Sequence, residues 1–273
     1  MSNPFANVET ATEDSLVEKD YVGGGTQPTN LYDGLIKAAY IQDSQSPGSK
    51  AKMVNFIVVI NGKEVRQRVT VNNREGKVTY KDKTSGKLKN LPGFSQVNSV
   101  CMLIAGKELQ NMDVESKTLN LYDATAGKEI PQSVPCLVEL HGEAVGVALQ
   151  EQIVDKQKRQ DDGSYENTGE TRKENEIVKF FAPDTFVTLS EVENMISGMG
   201  GDFKEVLNDG DLLKGVSRMT REQGLWADNW RESFAGKEPL DKSSGASKGS
   251  GKDFGSKAKS GDGAKAKTNL FDD

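Results

Sequence analysis

The sequence predicts a mainly β protein: a small, strongly curved antiparallel barrel followed by a helical appendage, with polar segments at both ends. Three observations carry this. Between Asn30 and Phe186, short β-branched runs alternate with Gly, Pro and Asn punctuation, and one intervening stretch, "FSQVNSVCMLIAGKEL", reads as helix. Within that region "MVNFIVVINGKEVRQRVTVNN" places Asn61-Gly62 between two apolar strands, and this pair favours a two-residue hairpin because both central residues need positive φ. After Thr188 the period lengthens, and Trp226, Trp230 and Phe234 fall at i, i+4 and i+8 on one helical face.

Four segments follow from these shifts: residues 1–26 as a flexible acidic arm, 27–187 as the barrel, 188–235 as the helical appendage, and 236–273 as a disordered Gly/Ser/Lys linker with an acidic, aromatic tip. "GLIKAAYI" is the first strand and "QDSQSPGSK" a loop. A two-residue turn at Asn61-Gly62 fixes the register, pairing Val58 with Val65, Phe56 with Gln67 and Val54 with Val69. Alternation then puts Val54, Phe56, Val58, Val65, Val69 and Val71 on a core face, and Asn55, Ile57, Arg66 and Arg68 on an exposed basic ledge. "KVTYKD" is a short strand and "KTSGKLKNLPG" a loop; further strands are expected at "VPCLVELHG", "EAVGVALQEQIVDKQ" and "NEIVKFFAP". Ser190 with Glu193 forms a capping-box signature opening the appendage. The Trp226 stripe is expected to dock its helix on the barrel.

Charge is unevenly spread. The chain of 273 residues carries a net −6, yet residues 50–90 hold eleven Lys and Arg against Glu64, Glu75 and Asp82, while residues 1–20 hold five carboxylates against Lys19. A cationic stretch of that density points to a polyanionic partner. Cys101 and Cys136 sit alone in apolar segments and read as reduced core residues. No apolar run is long enough to span a bilayer, and the first twenty residues are acidic where a signal peptide is basic, so the expected location is the cytoplasm, with no membrane partner.

Catalytic chemistry is hard to assemble. His141 is the only histidine, so Ser-His and Cys-His catalysis depend on it alone and a Cys/His zinc site lacks enough ligands, and it is expected to be structural. "GSGKD" lacks the first glycine and the hydroxyl of a phosphate loop, "NDGD" lacks the spacing of a calcium loop, and Asp161-Asp162 lie in a polar hairpin. No enzyme activity, metal or cofactor is expected.

Basic residues interleaved with aromatics remain. Unpaired nucleic acid needs cations for its phosphates and flat side chains for its bases, the latter worth roughly 1–3 kcal/mol per base. The candidates for phosphate contact are Lys63, Arg66, Arg68, Arg74, Lys81, Lys87 and Lys89, with Lys156, Lys158, Arg159, Arg172 and Lys173 on a later hairpin. Those for stacking are Tyr80, Phe94, Tyr165 and one of Phe180 and Phe181, since neighbours on a strand point to opposite faces and only one of the two is expected in the core.

The residues "VNFIVVINGKEVRQRVTVNNREGKVTYKD", "LPGFSQVNSVCMLIAGKEL" with "KTLNLYD", "VPCLVEL" and "VDKQKRQDDGSYENTGETRKENEIVKFF" resemble the single-stranded DNA-binding proteins of tailed phages, across over half the chain. The resemblance implies an OB-type barrel, sequence-tolerant coating of single-stranded DNA in replication, recombination or repair, a host-cell cytoplasmic setting, and a C-terminal tip that docks replication proteins. That tip is Leu270, Phe271, Asp272 and Asp273, a hydrophobic anchor flanked by acid. Two other readings stay open: a non-catalytic β-barrel whose ledge meets an acidic protein, and a double-stranded DNA-binding transcription regulator, although no helix-turn-helix with a basic recognition helix is visible. Self-association is left open.

Overall fold

A computed structural model describes residues 25–123, 126–160, 165–208 and 224–243. The bulk of the acidic arm, the loop holding Asp161 and Asp162, "NDGD" beyond Asn208, and the linker from residue 244 to the Leu270–Asp273 tip lie outside them.

The chain is mainly β and antiparallel. β1 (Asn30–Asp43) pairs with β2 (Lys52–Ile60), and β2 with β3 (Lys63–Thr70) across the Asn61-Gly62 turn. Both turn residues have positive φ, 48° and 76°, as the hairpin requires. Val58 pairs with Val65, Phe56 with Gln67 and Val54 with Val69, the register expected from the turn. Val54, Phe56, Val58, Val65, Val69 and Val71 are buried in the main core.

"KTSGKLKNLPG" is not wholly loop: Leu88–Asn90 forms β5, which pairs with β4 (Thr79–Lys81) as a separate two-stranded ribbon. Helix α1 (Pro92–Ala105) follows, opened by Pro at its first position and closed by Gly106 in the left-handed region. A Cβ on Gly93 would meet the Thr70 carbonyl oxygen at 2.0 Å, so only glycine lets the first turn of α1 sit on the end of β3. Then β6 (Val114–Asp123) and β7 (Lys128–Leu137) make a long hairpin joined to β1 through Tyr40 and Cys136. "VPCLVELHG" is strand only to Leu137; a 3-10 turn takes Val138–Leu140. β8 (Ala144–Arg159) lies between β1 and β9 (Tyr165–Phe181).

The strip β3-β2-β1-β8-β9 curls until its ends are neighbours, and α1 packs against both β3 and β9. The expected closed barrel is met only in part, because no ladder joins β3 to β9 among the described residues. A side chain makes the junction instead. Gln67, the one amide on the core-facing side of β3, accepts the Ile177 N–H at 3.0 Å.

The other side of the sheet is covered by two elements. Near the start of β1 it is covered by helix α4 (Leu225–Phe234), whose Trp230 and Ala227 are buried with Leu31, Ala148, Phe181 and Phe186. The stripe thus docks its own helix, as expected. Phe180 and Phe181 are both core, contrary to the one-face expectation: Phe180 packs on Phe56 inside, and Phe181 on Trp226 and Phe186 outside, because the sheet is buried on both sides there. Helix α2 (Leu189–Gly198) begins two residues earlier than the signature at Ser190 and Glu193 implied. Thr188 caps it and Glu191 returns the bond, since this phase is the one that buries Val192 and Ile196. The second oxygen of Glu191 accepts the Trp226 N–H at 2.8 Å, tying α4 to α2; α3 (Phe203–Asn208) follows α2. The linker boundary at residue 236 also moves, because Leu240–Asp241 forms β10, parallel to β8 at Gln152 and Ile153.

His141 is structural: its Nε2 lies 3.0 Å from the Ala39 nitrogen, pinning the β7–β8 connection to β1. Cys101 and Cys136 are free and buried, and burial pushes the Cys101 thiol up to about 12. No group of His, Cys, Asp or Glu among the described residues could hold a metal ion, and no described helix is long and apolar enough to cross a membrane.

Candidate functional site

The outer face of β1-β2-β3 follows from the ladder register. Tyr40 pairs with Asn55 and Asn55 with Arg68; one step along, Ala38 pairs with Ile57 and Ile57 with Arg66. Residues paired across antiparallel strands share a face, so these six form two adjacent rows opposite the main core. The expected basic ledge is therefore present but is not a bare surface. The β6–β7 hairpin folds over it, burying Ala38 and Ile57 with Leu121 and packing Leu119 and Val134 beside Tyr40. Asn55 and Ile57 are buried, a correction to the exposed face expected for them, while Arg66 and Arg68 stay exposed at its open edge.

The two arginines differ in their partners. An Arg66 terminal nitrogen donates to Glu129 at 2.7 Å and lies 3.6 Å from Glu64, and the Glu129 bond is the main reason its pKa rises. Arg68 Nε donates to Asn55 Oδ1 at 3.0 Å, which leaves its terminal amino groups without an acceptor among the described residues. Burial raises the Tyr40 phenol, with the charges of Arg68 and Arg66 opposing, so the ring and both cations sit in one electrostatic neighbourhood.

The β4–β5 ribbon is a second patch. Tyr80 faces Lys89 across it, and Lys81 faces Leu88, with Leu88 74% and Tyr80 41% exposed. Lys89 is bound by Asp82, whose carboxyl is pulled down to about 2 by that bond first, and then by the Thr84 amide and Ser85 hydroxyl. Lys81 and Lys87 have no carboxylate partner among the described residues. Arg74 holds the 44–51 loop through the Pro47 carbonyl at 3.1 Å. Lys63 reaches the Gly25 carbonyl at 3.5 Å, at the far end of the hairpin. Phe94 is half-buried against the main core, held there by the close seat of α1.

The third patch is largely self-neutralised. Lys156 pairs with Glu170 at 2.8 Å, Arg172 with Glu174 at 3.0 Å and Lys173 with Glu151 at 3.2 Å. Lys158 faces Glu166 in the ladder, and Arg159 faces Tyr165, which is 62% exposed. Sequence reasoning placed Asn55 on this face without giving it a contact role, and missed Tyr40. Alternation along "AAYI" carried the signal for Tyr40, since Ala39 and Ile41 pack on the main core and Tyr40 must oppose them. Neither a family model nor a curated protein matches the chain.

Proposed function

We propose that this chain is a single-stranded DNA-binding protein that coats the strand without strong sequence preference in replication, recombination or repair, and recruits replication proteins through Leu270, Phe271, Asp272 and Asp273. The observation that carries the reading is the outer face of β1–β2–β3, where the exposed Arg66 and Arg68 of β3 share an electrostatic neighbourhood with the half-buried Tyr40 of β1. That is the pairing of phosphate and base contacts that an unpaired strand needs. The strand order supports an OB-type barrel: read through the Gln67 junction, the strip runs first-second-third-fifth-fourth and back to the first, with α1 placed between the third and fourth strands. The outer face of the second and third strands is where that architecture binds oligonucleotides. The β4–β5 ribbon offers a second exposed set, Tyr80, Lys81 and Lys87.

An anisotropy titration of labelled oligo-dT over several salt concentrations, with duplex DNA as competitor, tests this reading. Salt-sensitive binding that duplex does not displace supports it, because counterion release sets the slope and stacking sets the selectivity. No binding, or equal competition by duplex, overturns it. Removing Leu270 to Asp273 is expected to leave or tighten DNA binding while abolishing partner recruitment; loss of DNA affinity refutes the role given to the tip.

A further inference from the structure

One polar group in the candidate face has no use within the fold. Asn55 is 6% exposed, and its Nδ2 is buried with no hydrogen-bond partner among the described residues. Its orientation is fixed by chemistry: Arg68 Nε–H donates to Oδ1, and rotating the amide would set N–H against N–H. Leaving a buried donor unpaired costs stability, and an apolar residue would suit the neighbouring Ile57 and Leu121 better. The free donor itself calls for an acceptor, and the charged group beside it supplies only donors. The terminal amino groups of Arg68 can only donate, Asn55 Oδ1 is already taken, and the Tyr40 hydroxyl stands in the same row. A ligand atom entering here must be an acceptor, and beside a guanidinium the favoured acceptor is anionic.

We propose that the Tyr40–Asn55–Arg68 row seats one backbone phosphate of the bound strand, Arg68 supplying the charge and Asn55 Nδ2 the neutral donor. The proposal rests on the single-stranded DNA reading and names what this part of the face takes. Stacked bases are then left to Tyr80 of the β4–β5 ribbon.

Two variants of the full chain test it on oligo-dT and oligo-dA across a salt series. Arg68→Gln, an exposed change that spares the core, is expected to weaken binding of both oligomers about tenfold at moderate salt. It should also flatten the logarithmic salt slope by about 0.7, the amount one phosphate contributes on a single strand. Asn55→Leu is expected to weaken both three- to tenfold with the slope unchanged, because a neutral donor releases no counterion, while its thermal midpoint stays level or rises. A structural role for Asn55 predicts the reverse, a lower midpoint with affinity intact, and overturns the proposal. An unchanged slope in Arg68→Gln with loss confined to one oligomer places a base edge in the seat and overturns it too. If the unaltered protein binds neither oligomer, the single-strand reading itself fails; if it binds both and neither variant alters binding, only the phosphate seat fails.

Discussion

The β2–β3 hairpin and the β8–β9 hairpin look alike in sequence, each an alternating pair of strands studded with cations, yet they behave differently in three dimensions. In β2–β3 one face builds the main core and the other carries Arg66 and Arg68 to an exposed edge. In β8 and β9 six cations stand among six carboxylates, and three of the cations, Lys156, Arg172 and Lys173, are tied down. A roll of cations alone makes both hairpins basic candidates; the carboxylates paired with them separate the two. A surface ion pair is worth only about 0–1 kcal/mol, so those lysines are not locked away, but each must exchange a partner it already has for a phosphate.

The contrast can be broken most severely through packing. Phe56→Ala in β2 is expected to cost about 3–5 kcal/mol of stability, since the ring is fully buried against Phe180. Tyr165→Ala at the tip of β9 should stay within about 0.5 kcal/mol, and chemical denaturation compares the two. If Tyr165→Ala destabilises comparably, the outer ribbon is packed against something that its exposure hides. For DNA affinity, Arg66→Gln with Arg68→Gln is expected to cost about 2 kcal/mol, roughly thirtyfold. Lys156→Gln with Arg172→Gln should cost less than threefold, and equal losses would erase the distinction drawn between the hairpins.

Smaller effects sharpen it. Lys179, at the base of β9, is held over the Trp226 ring at 5.6 Å, and burial lowers its pKa from 10.5. Between the folded and the ordinary value the unfolded chain holds more protons, so stability rises with pH across that window. Lys179→Met is thus expected to raise the thermal midpoint by about 2 °C near neutrality, a gain that shrinks as pH approaches 10.5. A gain independent of pH would assign the effect to packing. Last, Glu129→Gln removes the main partner of Arg66 and should tighten oligo-dT binding about two- to threefold; weakened binding would mean that Glu129 orients Arg66 for the strand.

What was legible in the sequence was whatever local rules determine. Asn61-Gly62 dictated a turn, the turn dictated a register, and the register dictated which valines meet Phe56. The Trp226 helix was readable for the same reason, a stripe of period 3.6 with nowhere else to go. Coverage from a distance was not readable. Nothing near Ile57 announces that Leu121, sixty-odd residues later, will lie on it, nor does "KFF" announce that Trp226 waits on its far side, so Asn55 and Phe180-Phe181 were assigned from alternation alone. Capping failed by ambiguity: Thr188 with Glu191 and Ser190 with Glu193 fit one motif, and burial of Val192 chose between them. Ion pairing across the later hairpin, Lys156 with Glu170 and Lys173 with Glu151, was invisible because which residues meet depends on a register that its bulges shift.

The Gln67 amide gives the sheet an unusual seam. Everywhere else along the strip, neighbouring strands are stitched by repeated backbone bonds, and parting them would break many at once. Between β3 and β9 the Gln67 side chain bridges the gap among the described residues, so the two ends of the strip can part there by the swing of one rotamer. Gln67→Leu would leave the Ile177 N–H unanswered, and deuterium uptake at that one amide would be a gauge of how often the seam parts.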